Sequence, residues 1–242
     1  MDKTPAGSRA AEATKGRAGR RIVIAIDGPA GSGKSTLAGL LARRYGYTNV
    51  ETGAMYRALA LKALEHRVSV DDREALGALA RRSRIELEPH VEGNRVLLDG
   101  ADVSERIRRQ DVTEAASRVS VHPPVREWMV RRQQEMGTGG GIVMEGRDIG
   151  TKVFPEAEVK IFLDAAPEVR GTRRFLQTPP TAAPEAAVLA ELRARDERDR
   201  TRANSPLAPA ADAVIIDSTQ LTLEQVVERA VEIIEERLTK RE

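Results

Sequence analysis

Along the chain, short apolar runs alternate with stretches whose apolar residues recur every three or four positions. Arg21-Ile-Val-Ile-Ala-Ile26 is almost continuously apolar, the pattern of a strand covered on both faces. Gly141-Ile-Val-Met144, Val159-Lys-Ile-Phe-Leu163 and Ala213-Val-Ile-Ile216 have the same character. Helical spacing marks residues 36–45 (through Leu37, Leu40 and Leu41), 55–64, 125–134, 167–176 and 186–201. Strands separated by helices predict an α/β fold, a parallel sheet with helices on both faces. From about residue 68 to 100 the rhythm changes. Residues 85–88 and 95–99 flank Glu92-Gly-Asn94, which predicts a hairpin inside an inserted subdomain. Thr178-Pro-Pro-Thr-Ala-Ala-Pro184 has too many prolines for a helix interior and is expected to be a loop. Thr222 and Gln225 have the spacing of a capping box. The stripe of Leu223, Val226, Val227, Ala230 and Ile234 behind them predicts a last helix packed on the core, with a dimer interface as the alternative. No internal repeat is visible.

Composition narrows the class. The 242 residues suit one large domain, with 31% charged and 40% hydrophobic residues, an ordinary soluble balance. No apolar run approaches the roughly 20 residues that span a bilayer, so a membrane partner is not expected. The absence of cysteine excludes disulfides, thiolate catalysis and thiolate metal sites. His66, His90 and His122 are too scattered for a metal cluster. Aromatic residues make up only 3% of the chain, too few for a base-stacking platform, so no nucleic-acid polymer is expected as partner. Lys3, Arg9, Lys15, Arg17 and Arg20 against Asp2 and Glu12 make residues 1–20 locally basic, whereas the chain as a whole is only +2. This tail has no apolar stretch and is expected to be a disordered extension; a transit peptide or a polyanion-binding arm are the alternatives.

One motif decides the chemistry. Gly28-Pro-Ala-Gly-Ser-Gly-Lys-Ser35 matches G-x-x-x-x-G-K-[ST] directly after a predicted strand and before a predicted helix. Glycines let backbone N–H groups turn inward around phosphate oxygens, and the helix adds its positive N-terminal end. Gly28, Pro29, Ala30, Gly31, Ser32, Gly33, Lys34, Ser35 and Thr36 are therefore the expected triphosphate cradle. Lys34 is expected to reach the β- and γ-phosphates, and the Ser35 hydroxyl to ligate Mg²⁺. The N-K-x-D and D-x-x-G strings of a GTPase do not occur. A second set of arginines lies far beyond the loop and suits a second phosphorylated substrate.

Those arginines fall in recognisable segments. Glu51-Thr-Gly-Ala-Met-Tyr-Arg57, Asp102-Val-Ser-Glu-Arg-Ile-Arg108, Val125-Arg126, Glu145-Gly-Arg-Asp-Ile-Gly150 and Arg195-Asp-Glu-Arg-Asp-Arg-Thr-Arg202 occur in that order. The chain from about residue 21 to the last helix resembles the bacterial cytidylate (CMP) kinase family of P-loop nucleoside-monophosphate kinases. The resemblance implies a three-layer P-loop kinase core around a five-stranded parallel sheet, with residues 21–242 as a single kinase domain. Within it, a nucleoside-monophosphate-binding subdomain would occupy about 52–137 and a short mobile lid about 174–188. It further implies a cytoplasmic monomer that uses ATP and Mg²⁺ to phosphorylate CMP or dCMP in pyrimidine nucleotide metabolism.

By the same resemblance, Thr52, Arg57 and Arg147 would hold the acceptor phosphate, and Ser117, Arg126 and Asp148 would address cytosine. Arg195, Asp199 and Arg202 would complete the CMP site. Arg170, Arg173 and Arg174 would join Lys34 and Arg147 around the transferring phosphoryl group. The chemistry agrees with these roles. A carboxylate at Asp148 accepts from the cytosine amino group while Arg126 donates to its acceptor edge, and uracil would leave both unpaired. Arg195, Asp199 and Arg202 share one helical face. No general base is required, because a phosphate monoester with a second pKa of about 6 is already mostly the dianion at neutral pH. The expected lid is rich in Pro and Ala, a departure from the Gly and charge that the resemblance would lead one to expect there. Two other readings fit the motif alone: a P-loop kinase for another monophosphate or small metabolite, and a nucleotide-binding regulatory module without turnover.

Overall fold

The structure, a computed structural model, describes residues 21–90, 93–176 and 184–239. The basic tail and the Pro-rich centre of the expected lid lie outside the described residues.

The chain runs β1 (Val23–Asp27), α1 (Lys34–Tyr45), β2 (Thr48–Glu51), α2 (Thr52–Glu65) and α3 (Arg73–Arg81). Next come the short strands β3 (Ile85–His90), β4 (Gly93–Leu98) and β5 (Ala101–Asp102), then α4 (Gln110–Val119) and α5 (Pro123–Gly137). β6 (Ile142–Gly146) leads into a π-turn (Ile149–Val153), followed by β7 (Val159–Asp164) and α6 (Pro167–Leu176). The chain then forms α7 (Glu185–Thr201), β8 (Val214–Asp217) and α8 (Leu223–Thr239).

Five parallel strands form the main sheet in the order β2-β6-β1-β7-β8. Side-chain alternation sorts the two faces. Ile24, Ile26, Val143, Ile161 and Leu163 meet Leu37 and Leu41 of α1 and Val226, Ala230 and Ile234 of α8. On the other face, Ala25, Ile142 and Met144 meet Ile149 and Val153 of the π-turn and Val130 of α5. The expected capping box is present: Thr222 N donates to Gln225 Oε1 at 2.9 Å, and Gln225 N donates to Thr222 Oγ1 at 3.3 Å.

A second core lies between α2 and α5. Met55, Leu59, Leu76, Ile85, Val112, Val119 and Met129 bury one another beneath the antiparallel sheet β3-β4-β5. Asn94 joins this sheet to the main one, its Oδ1 accepting from Glu51 N at 3.1 Å and its Nδ2 donating to Asn49 O at 2.9 Å. Three elements depart from the apolar pattern. β2 is an edge strand in which only Val50 is buried, so it shows no apolar run. α3 and α4 are short helices, α3 started by Asp72 Oδ1 accepting from Ala75 N at 3.0 Å. Among the described residues, no helix is long and apolar enough to cross a membrane.

Candidate active site

Every strand of a parallel sheet points its carboxyl end the same way, and ligands collect there. β1 ends at the Gly-rich loop, β6 at Gly146-Arg147-Asp148, and β2 at Glu51-Thr52, so three of the sequence's motifs meet on one rim. The turn into the loop needs glycine: a Cβ at Gly28 would stand 2.0 Å from Leu163 O, and Gly33, with φ of 98°, sits directly before the first turn of α1. The start of α1 brings Lys34 and Ser35 to the loop. Lys34 Nζ donates to Pro29 O at 2.7 Å and lies 3.4 Å from Ser32 Oγ; Ser35 Oγ donates to Glu145 Oε1 at 2.8 Å. Burial, reinforced by the charges of Arg147 and Arg195, pushes the Lys34 ammonium down to about 7, against the opposing pull of Glu145.

The predicted acceptor residues surround the same rim. Thr52 Oγ1 donates to Glu145 O at 2.8 Å, and Arg57 Nη2 pairs with Glu51 Oε1 at 2.6 Å. Arg126 Nη2 meets Asp148 Oδ2 at 2.5 Å inside the protein, with its guanidinium carbon 5.9 Å from the centre of the Tyr56 ring. Arg147 Nε donates to Asp199 Oδ2 at 2.9 Å, so α7 reaches across to β6. Arg202 stands 3.8 Å from Asp148 Oδ1 and 3.7 Å from Asp199 Oδ1. Ser117 Oγ accepts from Arg198 Nε at 3.2 Å, which draws α4 to α7. Arg147 and Asp148 thus pair with Asp199 and Arg126 respectively; Arg195 and Asp199 lie on α7, whereas Arg202 follows its last residue in extended backbone, so the three do not share one helical face.

These arginines are more numerous than their protein partners. The Nε atoms of Arg57, Arg126 and Arg195 and Nη2 of Arg202 are buried without a hydrogen-bond acceptor in the structure. Buried donors are nearly always satisfied, so a cluster of orphaned guanidinium nitrogens marks a place that an anion completes. Burial and the neighbouring Arg147 also hold Arg195 down to about 10. Arg57 and Arg174 add to that strain.

The three arginines grouped around the transferring phosphoryl group occupy different settings. Arg170 is buried, its Nε donating to Ala165 O at 2.8 Å and its Nη1 to Ala30 O at 3.1 Å and Asp196 Oδ2 at 2.5 Å. Its polar atoms brace α6, α7 and the Gly-rich loop, which differs from the substrate contact expected of it. Arg173 holds Ser218 through Nη1 to Oγ at 2.9 Å and Nη2 to O at 2.8 Å, with Ser32 O at 3.5 Å. Arg174 is exposed at the end of α6 and is felt electrostatically at Arg195.

Sequence reasoning did not single out Glu51, Asp196, Glu145 or Asp27. Glu145 is buried one residue before the Gly146-Arg147 turn, and desolvation raises its pKa against the pull of Lys34. Asp27 immediately precedes Gly28 and is pushed up to about 6 by burial, in spite of hydrogen bonds from Gly150 and Ile149. Both lie inside or beside the motifs, so adjacency to Gly28 and Arg147 was the available signal. Among the described residues, no group of three or more His, Cys, Asp or Glu could hold a metal by itself. The Ser35 hydroxyl against the Glu145 carboxylate nevertheless supplies hard oxygen donors, the set that suits Mg²⁺ completing its shell with phosphate and water.

The family model for cytidylate kinase matches residues 24–236. The cytidylate kinase of Pasteurella multocida (strain Pm70) is 47% identical over 220 residues, covering 90% of this chain and 97% of that protein. That of Geobacillus kaustophilus (strain HTA426) is 50% identical over 221 residues, covering 90% and 99%. That of Vibrio cholerae serotype O1 (strain ATCC 39315 / El Tor Inaba N16961) is 46% identical over 218 residues, covering 89% and 97%.

Proposed function

The chain belongs to the cytidylate kinase family, and on that premise we propose that it transfers the γ-phosphoryl group of ATP directly to the phosphate of CMP or dCMP. The observation that carries this reading is the set of orphaned nitrogens on Arg57, Arg126, Arg195 and Arg202, gathered on the rim where the Gly-rich loop ends β1. A triphosphate at residues 28–36 and a monophosphate among those arginines would meet end to end.

The work of such a site is electrostatic and geometric. Two anions repel, so the protein must align them and spread positive charge over donor, acceptor and moving group. Lys34 would leave Pro29 O for the β- and γ-phosphates. Arg57 and Arg147 would hold the acceptor phosphate, helped by the Thr52 hydroxyl. Arg174 is the arginine of α6 most open to approach the transferring group, with Arg173 beside Ser32 O. Ser35 and Glu145 would hold Mg²⁺, which supplies neutralising charge to the phosphates. No side chain need remove a proton, since the acceptor oxygen is already ionised.

Asp148 and Arg126 would read cytosine, with Ser117 and Arg202 nearby, while Arg195 and Asp199 complete the nucleotide's surroundings. The second core, about residues 52–137, would carry the monophosphate. A lid at about 174–188 would close over the phosphates and keep water from accepting the phosphoryl group. The proposed partners are small nucleotides only, for a cytoplasmic monomer. Coupled ADP release with CMP, dCMP, UMP, AMP and shikimate as acceptors tests the reading. The highest kcat/KM is expected with CMP or dCMP, and highest activity with AMP would overturn the base assignment.

A further inference from the structure

The first N–H groups of a helical element have no partner inside it, and an Asp at the N-cap commonly accepts one of them. Asp148 occupies the N-cap of the π-turn, yet its side chain makes no cap hydrogen bond. Its two oxygens face Arg126 at 2.5 Å and Arg202 at 3.8 Å instead. The amides it leaves are those of Ile149 and Gly150. Both donate to one carboxylate from far earlier in the chain, Ile149 N to Asp27 Oδ1 at 2.8 Å and Gly150 N to Asp27 Oδ2 at 2.7 Å.

The placement of Asp27 makes this exchange possible. It is the last residue of the central strand β1, in register with Gly146 of β6, and the next residue opens the Gly-rich loop. It is 4% exposed, so both amides are satisfied away from water. The space is close: a Cβ on Gly150 would come within 3.4 Å of Asp27 Oδ2 and 3.2 Å of Lys160 Cδ. We infer that Asp27 is a surrogate cap, a positioning residue that satisfies the π-turn from the neighbouring strand and so leaves the Asp148 carboxylate free for the acceptor's base.

This deepens the reading of Asp148 given above and rests on it. Without Asp27, two buried amides would lack an acceptor. Asp148 stands at the N-cap, where it could take one of them, and turning there would pull it from Arg126. The base site would then fail through a residue that never touches the nucleotide. Because Asp27 is the strand residue directly before the Gly-rich loop, the same contacts fix the acceptor-reading turn relative to the end of β1.

The test compares wild type with Asp27→Ala, Asp27→Asn and Asp148→Ala. Asp27→Ala is expected to raise KM for CMP at least tenfold and to lower the CMP-over-UMP ratio of kcat/KM at least fivefold. Its dissociation constant for ATP, measured without acceptor, should stay within threefold. Asp27→Asn keeps the shape and one acceptor oxygen and should fall between. A crystal structure of either variant should show the Asp148 carboxylate on the amide of Ile149 or Gly150. Loss of thermal stability with KM for CMP and base preference unchanged would reduce Asp27 to a brace and overturn the inference.

If neither Asp27 variant folds, amide exchange in Asp148→Ala still decides. Protection of Ile149 and Gly150 should match wild type, and its loss would make Asp148 the true cap. A wild-type protein with no CMP activity would overturn the functional reading while leaving the exchange result standing.

Discussion

A carboxylate reads a base only if it is aimed, and Asp148 is held by Arg126 at 2.5 Å with Arg202 behind it. A site built around such donors and acceptors discriminates strongly, because the wrong base leaves buried partners unpaired. Asp148→Ala should therefore lower kcat/KM for CMP at least tenfold more than for UMP; equal losses for the two would remove Asp148 from base reading. Lys34 gives a second prediction at this scale. Burial and its cationic neighbours depress its pKa to about 7 in the free protein, so the ammonium form is fully present below that pH and is lost as pH rises through it. Phosphate favours the charged form, so binding at pH 8 should take up a proton and ATP affinity should weaken by up to about tenfold per pH unit above 7. Calorimetry of ATP binding in buffers of different ionisation enthalpy measures that uptake directly. No uptake at pH 8 would mean that the lysine is already charged there.

At the scale of elements, α6 and α7 flank the residues at the centre of the proposed lid, and their join is a buried ion pair. Arg170 touches Asp196 in α7 and Ala30 in the Gly-rich loop, so α6, α7 and that loop share one guanidinium. Removing one member of such a pair strands the other charge. Arg170→Ala should cost about 3–5 kcal/mol in urea unfolding. Asp196→Ala should cost a similar amount; a loss below about 1 kcal/mol for both would show that the join bears little load. This brace also shows where sequence reading stops. Helical spacing located α6 and α7 and the motif order placed Arg170 near the phosphates, but neither reveals which way a guanidinium turns. The buried strands β1, β6 and β7 were legible because both faces are covered and their side chains are apolar throughout. β2 was not legible, since an edge strand with only Val50 buried carries almost no hydrophobic signal. Asp27 escaped for another reason: its partners are backbone amides 122 and 123 residues away, and backbone amides leave no mark on residue identity.

At the scale of the whole molecule, the protein holds a strongly like-charged cluster together before any substrate arrives. The helix α2, the turn after β6 and the end of α7 bring Arg57, Arg147, Arg195 and Arg202 to the rim, and Asp199, Asp148, Glu51 and Glu145 offset them only in part. The residual strain appears at Arg195, whose pKa burial and the neighbouring Arg147 hold down to about 10 and whose buried Nε has no acceptor. Keeping that charge buried beside its like-charged neighbours therefore costs the fold stability. Replacing the guanidinium with an apolar chain of similar length should return part of it. Arg195→Met is therefore expected to raise the stability of the ligand-free protein by about 1–2 kcal/mol while lowering kcat/KM for CMP by at least a hundredfold, the trade expected where function needs a strained charge. The nucleotide should reverse the order: saturating CMP should stabilise wild type by more than it stabilises the variant, since the anion satisfies a donor the variant lacks. Thermal unfolding of both proteins with and without CMP measures all of these differences. A variant less stable than wild type without ligand would show that Arg195 is compensated in the free protein and that the cluster is not held under strain.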